Sequence, residues 1–193
     1  MRHPFNRPSG LLLFVQDLVN VMYSIWGWVM EYNARVLSLG YVLSEDHQKV
    51  LMLYHTADPN HLSYGKYNGY SDFLRHNESN LDCFKRSVFE CTGTTAFDIV
   101  FRGSVHWSNF QQHDKSFFAQ IFVARINPQR VQLQNVYGEN RWLTVEEVLR
   151  GDVPLWDGDR QILPIVFDDV STPFHGVMTY DQGMPQHWFY ARA

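Results

Sequence analysis

The chain has 193 residues, 45 % hydrophobic and 16 % aromatic, and a formal net charge of −4. That apolar content offsets the entropy of ordering and excludes a disordered chain, and the acidic balance excludes a protein that coats nucleic acid through a basic face. Only Cys83 and Cys91 occur, which excludes a disulfide scaffold. Eight residues apart on one helix they lie about 12 Å apart along its axis, too far to pair. Reduced thiols fit a cytoplasmic location.

Residues 11 to 30, LLLFVQDLVNVMYSIWGWVM, form a mostly apolar stretch behind Arg2, Arg7 and Pro8. A signal peptide lacks its cleavage site here. A spanning helix has the minimum length but must carry Gln16, Asp17 and Asn20, and an Asp near the bilayer centre costs roughly 2.5–3.5 kcal/mol. Helical spacing gathers Leu11, Phe14, Val15, Leu18, Met22 and Ile25 on one face and the polar residues largely on the other. Three readings stay open: an amphipathic helix docked on the domain or a partner, contact with a membrane, and a spanning helix. The expected division is an N-terminal helical extension over 1–31 and a domain over 32–193.

From Asn33 the pattern is that of a mixed α/β domain. ARVLSLGYVL (34–43) and KVLMLYH (49–55) are β-rich runs around the turn-like SEDHQ, and FDIVFRGSVHW (97–107) and SFFAQIFVARI (116–126) are two more strands. RWLTVEEVLRG (141–151) predicts a strand end leading into a short helix capped by Thr144 and stopped by Gly151. QILPIVF (161–167) predicts a short buried helix interrupted by Pro164, and 175–181 with 186–192 predict a closing hairpin. His106, His113 and Asp114 match no defined metal or catalytic spacing.

One helix is well marked. Ser79 and Asp82 resemble a capping box ahead of DCFKRSVFECTG, and Gly93 is the stop. Leu81, Phe84 and Val88 are expected to face the core. Ser87, Glu90 and Cys91, at i, i+3 and i+4, share another face on which three side chains can converge.

The stretch GKYNGYSDFLRHNESNLDCFKRSVFECTG, Gly65 to Gly93, resembles the loop–helix–loop signature of the Nudix hydrolases, in particular the MutT-like branch that cleaves oxidised purine nucleoside triphosphates. Glu78, Arg86, Val88, Glu90 and Gly93 stand at the family's spacing. The resemblance covers roughly residues 32 to 192. It implies an α/β/α sandwich around a mixed curved sheet, here preceded by an apolar N-terminal helix, and Mg²⁺ or Mn²⁺ as cofactor if hydrolysis is retained.

The departures fall on the acids. Two signature carboxylates are replaced by Ser87 and Cys91, and the glycine that opens the signature is Asp72. The resemblance then leaves Glu90 and Arg86 as the catalytic pair and Glu90, Glu139 and Asp72 as metal ligands, with Glu139 in the region of an auxiliary family acid. Asp82 reads more simply as a cap and Asp72 as a turn residue. Mg²⁺ wants hard oxygen ligands; a hydroxyl is a poor substitute and a thiol a soft one. Losing the ion removes several kcal/mol of catalysis, and about 4 kcal/mol is already a thousandfold in rate.

The ligand side looks less altered. By the same resemblance Asn68 stands where relatives contact the base, and Trp156 and Asp159 of PLWDGDR match a WxxD-like segment that stacks on a purine and bonds to it. An indole face suits a purine, and an amide with a carboxyl group suits its polar edge. Core packing for Trp156 and turn roles for Asn68 and Asp159 are the plainer alternatives. The expected function is a purine nucleotide-binding protein of Nudix type with weakened or lost hydrolysis, acting on no long nucleic acid, cytoplasmic, with membrane contact through residues 11–30 left open. An active Mg²⁺-dependent pyrophosphohydrolase and a non-catalytic partner-binding fold are the alternatives.

Overall fold

The chain divides into two units, Met1–Asn33 and Ala34–Ala193. The computed structural model describes residues 34–110 and 115–192, all in the second unit. The expected N-terminal helix, and with it His113 and Asp114, lies outside the described residues.

Among the described residues ten strands form one mixed sheet: β1 (Ala34–Leu43), β2 (Lys49–His55), β3 (Tyr67–Asn68), β4 (Tyr70–Phe73), β5 (Phe97–Ser108), β6 (Ser116–Arg125), β7 (Gln134–Asn135), β8 (Gly138–Thr144), β9 (Phe174–Asp181) and β10 (Met184–Arg192). Their order is β10-β9-β5-β6-β1-β2-β8-β7. The β1–β6 and β5–β9 pairs are parallel, the others antiparallel. Helix α1 (Asn80–Thr92) covers one face, and α2 (Val145–Arg150) and α3 (Asp157–Val166) accompany the other. Strand β1 shows why two layers are needed. Leu39, Tyr41 and Leu43 enter the core under α3, whereas Val42 joins the core under α1.

The sheet has a split. Strands β1 and β2 pair only at Val42–Leu51 and Leu43–Val50, then diverge. The gap is filled by β4, which pairs with β1, and β3, which pairs with β2. Gly69 sits between these two short strands. A Cβ there would stand 2.6 Å from the Gly40 carbonyl oxygen, so the close approach requires glycine. The split carries the GKYNG element into the middle of the molecule, and Asp72, expected in a turn, is in strand β4.

Helix α1 starts and stops where its residues predict. The Ser79 hydroxyl accepts from the Asp82 amide, and Gly93 ends the helix at φ 70°. Its buried stripe, however, is Cys83, Phe84, Ser87, Val88, Cys91 and Thr92. Leu81 is exposed, contrary to the expected core stripe, because the buried face is rotated toward Cys83 and Ser87. Both cysteines are free. Thr144 and Gly151 cap α2 as predicted.

Helix α3 begins earlier than expected and runs through Pro164. Proline removes only one amide from the ladder, and the carbonyls at the helix end are met from outside. Buried Arg102 donates to Val166 at 2.9 Å and ion-pairs with Asp168 at 2.8 Å. Among the described residues no helix is long and apolar enough to cross a membrane.

Candidate functional site

Where the sheet splits, the start of α3 lies against it. The Tyr67 amide donates to the Pro154 carbonyl at 2.8 Å, which fastens the GKYNG element to the Pro-Leu-Trp segment. Asn68, Trp156 and Asp159 therefore line one cavity of about 230 Å³, together with Trp107, Phe110 and Tyr180. The sequence anticipated the first three; nothing in their local spacing identifies the aromatic partners, which arrive from β5, β9 and the segment after β5.

Trp156 is the N-cap residue of α3 but makes no side-chain cap. Its indole meets Phe110 at a 56° tilt, and the Lys66 ammonium stands 4.5 Å from its ring centroid. Asn68 is in a strand rather than a turn, and its amide donates to the Ser63 hydroxyl at 3.0 Å.

Asp159 is in the first turn of α3 rather than in a loop, and it is 8 % exposed. Gly158 before it has Tyr180 Oη against the place of a Cβ, so the helix start packs directly on β9. The Asp159 carboxyl makes no hydrogen bond or ion pair among the described residues, and burial pushes it up to about 7. The Tyr180 and Tyr41 hydroxyls are raised by burial and then by Asp159. A carboxyl that titrates near neutrality can donate a hydrogen bond or accept one.

A second cavity, of about 300 Å³, adjoins the first through Leu37, Ser71 and Phe73, which line both. Its walls carry Ser87, Glu90 and Cys91 of α1, Asp72 of β4, and the imidazoles of His55 and His61. The two rings stack 4.9 Å apart, and burial lowers His55 to about 4. Burial pushes the Cys91 thiol up to about 12, which favours its neutral form.

The carboxylates here are occupied by arginine. Arg86 forks onto Glu78 through Nε at 2.7 Å and Nη2 at 2.8 Å, reaches Asp72 at 2.5 Å, and stands 3.6 Å from Glu90. Its hydrogen bonds, ahead of other causes, hold Glu78 down at about 2. Arg75 takes the other oxygen of Glu90 at 3.2 Å. Arg86 thus pairs with Glu90 four residues on, yet its main partners are Glu78 and Asp72.

Glu139 lies elsewhere. Strand β8 alternates, and the Asn140 amide faces α1, where it donates to the Cys91 carbonyl at 2.7 Å. Glu139 points to the opposite face and is held by Arg141 at 2.5 Å, which also bonds the Tyr67 hydroxyl. Asp72, Glu90 and Glu139 therefore do not converge. Among the described residues no group of three His, Cys, Asp or Glu side chains is arranged to hold a metal ion. A hydroxyl, a neutral thiol and two arginine-paired carboxylates do not fit the oxygen cage that Mg²⁺ requires.

No family model matches the chain. Solved structures do match its fold. A mutator MutT protein from Bacillus halodurans superposes with a TM-score of 0.67 at 21 % identity, over 81 % of this chain and 97 % of that one. A MutT protein from Methanosarcina mazei Go1 gives 0.56 at 22 % identity, over 71 % and 95 %. The NUDIX domain of Shewanella oneidensis NrtR, crystallised with ADP ribose, gives 0.56 at 20 % identity, over 69 % and 86 %. The fold is that of the Nudix hydrolases: a curved, open, mixed sheet with few helices.

Proposed function

We propose that this protein binds a purine nucleotide and that its Nudix-type pyrophosphate hydrolysis is weakened or lost. One observation carries the binding half. Asp159 is 8 % exposed, its carboxyl makes no hydrogen bond or ion pair among the described residues, and it lines a cavity together with Trp156 and Asn68. An unpaired buried polar group is costly, and a ligand edge with donors and acceptors would satisfy it. The indole offers a stacking surface beside it. The crystallised NrtR domain holds ADP ribose, a ligand with a purine, on the same fold.

The loss of hydrolysis rests on the donor set. Phosphate cleavage in this fold family relies on a divalent ion that neutralises charge and activates water. Here the helix face that would hold it presents Ser87 and Cys91, and its remaining acid, Glu90, is shared by two arginines.

Thermal unfolding with purine nucleoside monophosphates and triphosphates tests the binding half. A rise in Tm is expected for the wild type and not for Trp156→Ala; no rise with any purine nucleotide at millimolar concentration would overturn it. The catalytic half is tested by release of pyrophosphate or phosphate from an oxidised purine triphosphate with Mg²⁺ or Mn²⁺. Near-background turnover is expected. Rapid turnover abolished by Glu90→Gln would show a working hydrolase instead.

A further inference from the structure

We propose that the second cavity holds the phosphate arm of the nucleotide without a divalent cation, and that the Arg75 guanidinium supplies the positive charge in its place. The inference rests on the purine nucleotide reading above and extends it to the other half of the ligand.

Connectivity comes first. Leu37, Ser71 and Phe73 line both cavities, so a ligand with its base against Trp156 extends past Ser71 toward α1. The arm then meets Asp72, Ser87, Glu90, His55 and His61, all of which line this cavity.

Charge is the second argument. Within this cluster Asp72, Glu78 and Glu90 stand against Arg75 and Arg86. Restoring acids at 87 and 91 would add two negative charges and call for a cation. As the sequence stands, the cluster is only one charge short of neutral, and the Arg86 guanidinium already occupies the position between Asp72 and Glu90. A metal ion there would have to displace a charged group bonded to both Glu78 and Asp72.

Arg75 is the cation that can change partners. Arg86 is largely buried and holds three carboxylates, whereas the Arg75 side chain is 61 % exposed and its one ion pair among the described residues is with Glu90. An exposed ion pair contributes little, so trading Glu90 for a phosphate costs little and gains a charge-assisted, fork-shaped contact. Glu90 lines the cavity and Arg75 bonds its carboxylate at 3.2 Å, so the guanidinium stands one side chain outside the lining. The neutral imidazole of His55, stacked on His61, faces the same space as a hydrogen-bond donor.

Calorimetric titration of the full chain with a purine nucleoside and with its mono-, di- and triphosphates, in EDTA and then in millimolar Mg²⁺, tests this. The phosphates should tighten binding over the nucleoside in EDTA, by a ratio that Mg²⁺ leaves unchanged. Arg75→Ala should reduce that ratio by about tenfold or more while leaving nucleoside affinity as it was, and Arg75→Lys should retain part of it. A gain that appears only with Mg²⁺, or that survives Arg75→Ala, overturns the proposal. If the nucleoside binds and phosphates add nothing in either buffer, this inference fails and the purine reading stands. If neither nucleoside nor nucleotide binds, both fail.

Discussion

The two adjoining cavities treat their carboxyl groups in opposite ways. At the start of α3, Asp159 is buried, has no hydrogen-bond or ion-pair partner among the described residues, and is pushed up to about 7. On the α1 side Glu78 is held at about 2 by the Arg86 fork, and Asp72 and Glu90 are also paired with arginine. An acid that is already satisfied inside the molecule has no need of an ion. An acid buried without a partner is a cost that the fold carries, and such a cost is understandable where a ligand relieves it.

Breaking the satisfied side should have the largest effect on stability. Arg86→Ala leaves Glu78 with a 13 % exposed side chain and no guanidinium partner, and a loss of roughly 2–3 kcal/mol is expected in urea unfolding. Arg86→Lys cannot reproduce the fork and should recover only part of it. A variant as stable as the wild type would mean that Arg86 does not stabilise Glu78, Asp72 and Glu90. On the unsatisfied side, Trp156→Ala should leave the fold intact and weaken purine binding by about ten- to a hundredfold, the weight of one base–aromatic stack. Equal loss with adenine and guanine ligands is expected, because every base has a π face.

Much of this was legible in the residues and some was not. The caps of α1, Ser79 and Gly93, are local chemistry and can be read directly. So can the turn between β9 and β10, where Gln182 and Gly183 both take positive φ. The family resemblance marked Asn68, Trp156 and Asp159, which line one cavity although Trp156 stands 88 positions after Asn68. The insertion of β3 and β4 between β1 and β2 was not legible, because a two-residue strand has no periodicity to read. The orientation of Glu139 was not legible for a related reason. Its distance along the chain fitted, but strand alternation turns it away from α1, and that parity depends on the register with β2. Arg75 carried no signal beyond its place in a loop; only its contact with Glu90 gives it a role.

The finest test of the contrast is the dependence of stability on pH. Asp159 has its folded value raised from 3.8 to about 7, so between those values the native state binds the proton that the unfolded chain has released. Stability contributed by this group is therefore lost as pH rises from about 4 to about 7, with a slope approaching about 1.4 kcal/mol per pH unit. His55 acts in the opposite sense over nearly the same window. Its folded value is lowered from 6.5 to about 4, so the unfolded chain takes up the proton first and stability rises with pH across that range. The two slopes offset each other in the ligand-free wild type. Asp159→Asn removes one of them. The variant should gain stability with rising pH between about 4 and 6.5 and exceed the wild type above 7. Below that window both proteins should weaken alike as pH falls from 4.5 toward 2, where Glu78 releases Arg86 on protonation. Parallel stability curves for wild type and variant from pH 4 to 7 would mean that Asp159 is not the unrelieved charge on which the difference between the two cavities rests.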